Sequence, residues 1–153
     1  MHYSDPLCSR KIEQTISELA ASLNPRNRDI VILCIGTDRS TGDSLGPLVG
    51  TRLAQLKNAR FEVFGTLDEP VHAVNLVDVL ENINTKHHDP FIIAVDACLG
   101  KADRVGYINV KPGVLFPGTA LQKSLPAVGD LHISGIVNVG GFMEYYVLQN
   151  TRL

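Results

Sequence analysis

The chain has 153 residues, 44% of them hydrophobic and 20% charged, which suits one globular domain with a core of its own. A net charge of −2 supplies no basic field for nucleic acid or an anionic membrane surface, and no apolar run approaches the roughly 20 residues that span a bilayer. Three cysteines without metal-ligand spacing, behind a first stretch lacking the charged-then-apolar order of a signal peptide, lead us to expect a reducing cytoplasm.

Ile12, Ile16, Leu19 and Leu23 recur at helical spacing, predicting an amphipathic helix over about residues 7–24 that Asn24-Pro25-Arg26-Asn27 ends. Asp29-Ile30-Val31-Ile32-Leu33-Cys34-Ile35 reads as a buried strand running into a Gly36–Pro47 loop rich in Ser, Thr and Asp. Leu45, Leu48, Val49, Leu53 and Leu56 mark a second helix, with Pro47 tolerated in its first turn. Phe61–Phe64 is a short strand, Val74 to Ile83 a third helix with His72 on its surface, and Phe91–Asp96 an apolar strand covered on both faces. Val105–Val110 follows too closely for a crossover helix, so it is expected to run antiparallel to its predecessor. Ile133–Val139 fits a last strand or part of a final helix; Gly135 and Gly140-Gly141 favour the strand. Phe142 to Leu153 then reads as a helix that breaks off as a truncated one would.

These elements predict one α/β domain over residues 1–153. In such a sheet, ligands and chemistry collect at the carboxyl ends of the parallel strands, where Asp43 and Asp96 would both be delivered. Neither nucleotide-binding pattern is present: five residues separate Gly36 from Gly42, and Asp43 stands where a P-loop carries lysine. Asp43 also fits a helix cap, and Asp96 a turn anchor, but two carboxylates at one rim point to acid/base chemistry or metal-assisted hydrolysis. Asp38 fits a loop-turn role. Thr37, Arg39, Ser40 and Thr41 are the loop residues expected to hold a substrate, Arg39 through a carboxylate and the hydroxyls through a peptide carbonyl.

Other candidates read as structural. Cys34 belongs to the core, Cys98 fits a buried free thiol better than a nucleophile, and His87-His88 fits a solvated loop. His132 starts its strand and so belongs to the opposite rim, leaving no third ligand for a metal. Neither metal nor cofactor is expected.

Three segments carry a family resemblance: Cys34-Ile35-Gly36-Thr37-Asp38-Arg39-Ser40-Thr41-Gly42-Asp43-Ser44-Leu45-Gly46-Pro47, Val95-Asp96-Ala97, and His132-Ile133 through Gly140-Gly141-Phe142-Met143-Glu144-Tyr145. Through them the chain resembles, essentially end to end, the YyaC-type sporulation proteins of spore-forming bacteria. More distantly it is similar to the germination protease, which degrades small acid-soluble spore proteins. Asp43-Ser44-Leu45-Gly46-Pro47, Val95-Asp96-Ala97 and Pro117-Gly118-Thr119-Ala120 are the matching stretches. The hydrogenase-maturation peptidases are further cousins that share the Gly-led loop and two acids.

This resemblance implies a three-layer α/β/α fold of the phosphorylase/hydrolase-like type, with a mixed, mostly parallel five-stranded sheet. It implies a peptidase whose catalytic residues are Asp43 and Asp96, acting on a protein or peptide such as a small acid-soluble spore protein. Thr41-Gly42 stands where the protease has proline before its aspartate, and this chain is much shorter, lacking the insertions that shape a substrate groove. The alternative is therefore a non-catalytic peptide-binding module using the same crevice.

Overall fold

A computed structural model describes residues 1–56, 60–117, 125–141 and 143–152. The elements run α1 (Cys8–Leu23), β1 (Ile30–Cys34), α2 (Leu45–Ala54), β2 (Phe61–Phe64), α3 (Leu76–Lys86), β3 (Phe91–Gly100), β4 (Ile108–Pro112), β5 (Leu131–Val139) and α4 (Glu144–Gln149). Short 3-10 turns at Thr41–Asp43 and Ala102–Arg104 link them. The strands form one sheet in the order β2-β1-β3-β5-β4, parallel except for β4.

Alternation along the strands explains the layers. Val31, Leu33 and Ile35 point to one face and pack with Leu76 and Ile83 of α3. Ile30, Phe91, Ile93 and Leu131 point to the other, where Ile16, Leu19 and Leu23 of α1 cover them. Helix α2 lies on the α1 side, close enough that a Cβ on Gly50 would come within 3.2 Å of the Cys34 Cβ. Both faces of the central strands are thus buried, which is why β1 and β3 are nearly uninterrupted apolar runs. No described helix is long and apolar enough to cross a membrane.

Two expectations about the sheet are corrected in detail. The strand expected over 105–110 occupies Ile108–Pro112 and does run opposite to β3, yet β5 lies between them, so it pairs with β5 instead. It starts late because the chain first turns at Gly106, whose φ is +87°. As an edge strand it accommodates Pro112. β3 also continues past Asp96 to Gly100, with a bulge between Cys98 and Leu99 against β5. Residues 142 and 153 of the expected last helix lie outside the described residues, as do 118–120 of the Pro-Gly segment.

The amino ends of β3 and β5 are fastened by one carboxylate. Asp130 accepts from the Ile92 amide at 2.9 Å and from the Arg28 guanidinium at 2.9 Å, while Arg28 lies over the Phe91 ring. Asp130→Ala is expected to cost about 2 kcal/mol, the scale of a charge-assisted hydrogen bond, read by urea denaturation.

Candidate functional site

The carboxyl ends of β1 and β3 open into a cavity of about 390 Å³. Its polar lining includes Thr37, Arg39, Asp43, His72, Asp96 and Cys98, and its apolar wall includes Leu115, Phe116, Leu125 and Leu148. The two acids read from the sequence therefore share one cavity.

The loop after β1 brings Asp43 there by folding back on itself. The Thr37 amide donates to the Asp43 carbonyl at 3.1 Å, and the Asp43 amide donates to the Ser40 carbonyl at 2.9 Å. Gly36 and Gly46 permit this closure. Gly36 has φ +140°, and a Cβ there would meet the Asp43 carbonyl oxygen at 1.9 Å; one on Gly46 would meet the Ile35 carbonyl oxygen at 2.1 Å. Backbone cannot yield to either contact cheaply. Gly46→Ala is expected to lose at least about 3 kcal/mol of stability, measured by chemical denaturation.

Asp43 is not spent on capping α2. Ser44 occupies the N-cap, makes no side-chain cap bond, and turns its hydroxyl back to the Thr41 carbonyl at 2.7 Å. Among the described residues, no amide donates to the Asp43 carboxylate, which is half-buried and faces the cavity. Asp96 is half-buried on β3 and accepts one hydrogen bond, from the Ala97 amide at 2.8 Å.

The two environments separate the acids. Burial pushes the Asp96 pKa up to about 8, with the Asp43 charge adding to the rise and the Ala97 amide opposing it. Burial alone raises Asp43 above its usual range. Below about pH 8 Asp96 therefore keeps its proton, as expected of one of two carboxyls sharing a desolvated site.

The substrate-binding expectation divides. Thr37 and Arg39 line the cavity. Ser40 and Thr41 do not: the 3-10 turn coils them away, burying Ser40 with its hydroxyl unpartnered among the described residues and using the Thr41 carbonyl to hold Ser44. The local turn bond comes not from Asp38 but from Thr37, whose Oγ1 accepts the Arg39 amide at 3.3 Å.

His72 is the residue that sequence reasoning missed. It precedes α3 instead of lying on its surface, because Asn75 begins that helix, and it lines the cavity beside the two acids. His87 is likewise no solvated loop residue: its ring contacts Glu62 at 2.8 Å and Asp29 at 3.2 Å. His132 does stand away from the cavity, with Nδ1 at 2.9 Å from the Gly113 carbonyl. Cys34 is fully buried, its thiol pushed up to about 12 by burial. Cys98 reaches the cavity, but burial and the Asp96 charge raise its thiol against the lowering effects of Ser134 and Lys111, favouring the un-ionised form. Among the described residues, no three His, Cys, Asp or Glu side chains gather in a group able to hold a metal ion.

Residues 1–153 match the family described as "Protein of unknown function (DUF1256)". The chain belongs to the DUF1256 family. It is similar to "Uncharacterized protein YyaC" of Bacillus subtilis (strain 168), 57% identical over 152 residues, covering 99% of this chain and 73% of that protein. No solved structure matches the chain. The Asp43 loop and the Asp96 segment of β3 both fall within the stretch matched to the DUF1256 family.

Proposed function

We propose that this chain is a hydrolase, a peptidase of the germination-protease type that acts during sporulation or germination inside the sporulating cell or spore. One observation carries the reading: Asp43 and Asp96 line the same cavity where the parallel strands β1 and β3 open, in surroundings that raise both carboxyls, Asp96 to about 8. The ionised Asp43 takes a proton from water as the water oxygen adds to the peptide carbonyl carbon. Asp96 then gives its proton to the departing nitrogen as the C–N bond breaks, and Asp43 holds the proton that restores the pair. Thr37 and Arg39 stand at the same wall to position the substrate. Small acid-soluble spore proteins are the proposed substrates, a choice that rests on the resemblance to the germination protease.

The second reading, a non-catalytic peptide-binding module, draws on the exposed apolar side chains among the cavity residues: Val74 is 80% exposed and Phe116 64%. Against it stands the Asp43 carboxylate, turned to the cavity instead of capping its helix.

Incubation with purified small acid-soluble spore proteins, read by mass spectrometry, separates the two. The peptidase reading expects cuts at defined bonds that vanish in Asp43→Asn. Saturable binding with intact protein recovered would support the binding module.

A further inference from the structure

The peptidase reading leaves one task without an assigned residue. As water adds to a peptide carbonyl, charge collects on the oxygen and needs a fixed hydrogen-bond donor. Ser40 and Thr41, the hydroxyls expected to serve, are turned out of the cavity. Arg39 and Thr37 line the cavity, the Thr37 Oγ1 accepting the Arg39 amide, and are assigned to positioning the substrate.

His72 approaches from the other wall on a built support. The bridge between Ile35 and Val71, with the Gly36 amide donating to the Val71 carbonyl at 2.8 Å, ties its segment to the end of β1. The His72 amide donates to Asn75 Oδ1 at 2.8 Å, and Asn75 Nδ2 donates to the Pro70 carbonyl at 2.9 Å, so one side chain clamps both flanks. The Asn75 and Leu76 amides both return to the His72 carbonyl, at 3.1 and 3.0 Å. This histidine is held by its backbone on every side.

Its ring is oriented as well. The Val74 amide donates to His72 Nδ1 at 3.3 Å. A backbone N–H can only donate, so Nδ1 is the accepting nitrogen and the neutral ring carries its proton on Nε2. No described residue bonds Nε2, and the residue lines the cavity with Asp43 and Asp96. We propose that His72 is a third catalytic residue, whose Nε2–H donates to the scissile carbonyl oxygen and stabilises the oxyanion as it forms. The inference rests on the peptidase reading. In the step, the water oxygen bonds the carbonyl carbon, its proton goes to Asp43, and the carbonyl π pair moves onto the oxygen facing Nε2–H. When the C–N bond breaks, that pair returns to the carbonyl and the Asp96 proton goes to nitrogen. His72 gives and takes no proton.

The test combines kinetics on a cleaved spore-protein peptide with ¹⁵N NMR of the imidazole. His72→Phe is expected to lower kcat about 10²–10³-fold with KM little changed, the scale of a lost oxyanion donor. His72→Gln, which restores an N–H, should recover most of the rate and keep the wild-type pH profile. The NMR spectrum should show the Nε2–H tautomer whether or not the variants fold. A Phe variant as fast as wild type, or one raising KM alone, would overturn the assignment. So would a Gln variant as slow as Phe, or an Nδ1–H tautomer. If the wild-type chain cleaves no spore-protein peptide, the peptidase reading itself fails; if it cleaves and His72→Phe does too, only the role of His72 falls.

Discussion

Asp96→Asn is expected to raise the stability of the folded chain at neutral pH. The folded pKa of Asp96, about 8, lies above the unfolded value of 3.8. Between those values the folded state binds the extra proton, so stability falls as pH rises, by about 1.4 kcal/mol per pH unit for this group alone. At about pH 7 the wild-type chain folds against a cost of up to about 4 kcal/mol that a permanently neutral side chain avoids. Asparagine keeps an oxygen for the Ala97 amide, so β3 loses no acceptor there. We therefore expect a gain of about 2–4 kcal/mol near pH 7 that shrinks towards zero below 3.8, at about pH 3, where aspartate is protonated in both states. Thermal melts of both proteins across that range measure it. A loss of several kcal/mol would identify Asp96 as a structural anchor, since functional acids are held at the expense of stability and structural ones are not.

Asp43→Asn should also gain stability near neutral pH, because burial raises the folded pKa of Asp43 too, but with a large loss of cleavage. The side chain makes no described hydrogen bond that asparagine would break, and it is the carboxylate proposed to take the proton from water. Removing a positioned general base costs typically about 10²–10⁴-fold in rate. The wild-type profile of kcat/KM should be bell-shaped. Its acid limb follows the ionisation of Asp43, above 3.8, and its alkaline limb follows loss of the Asp96 proton near about 8. A profile flat across neutral pH, or an Asp43→Asn variant of wild-type rate, would remove both acids from the chemistry.

Local signals made most of the frame legible. The runs 29–35 and 91–96 are apolar without interruption because both faces of their strands are covered, and the helical spacing of Ile12 to Leu23 places α1 within a residue at each end. The two aspartates were readable as cavity residues because strand direction alone brings both acids to one rim. Features set by distant contacts were not. The insertion of β5 between β3 and β4 depends on where a strand that starts only at Leu131 docks, and sequence adjacency pointed β4 at β3 instead. His72 belongs to an irregular segment whose place is fixed by the Val71–Ile35 bridge; its only local signal is the Pro70 and Asn75 pair that closes the turn ahead of α3. Ser40 and Thr41 looked equivalent to Thr37, and only the coiling of the 3-10 turn tells them apart. The apolar wall from Leu115, Phe116, Leu125 and Leu148 has no periodicity to betray it.

The proposed chemistry depends on two unlike carboxyls in one cavity, and ¹³C NMR of the aspartate side-chain carboxyls reads them directly. The expected result is one carboxyl titrating near about 8, assigned to Asp96 by its absence in Asp96→Asn, and moving to lower pH in Asp43→Asn as the neighbouring charge is removed while burial keeps it above 3.8. Asp43 and Asp96 both titrating near 4, each indifferent to loss of the other, would contradict it.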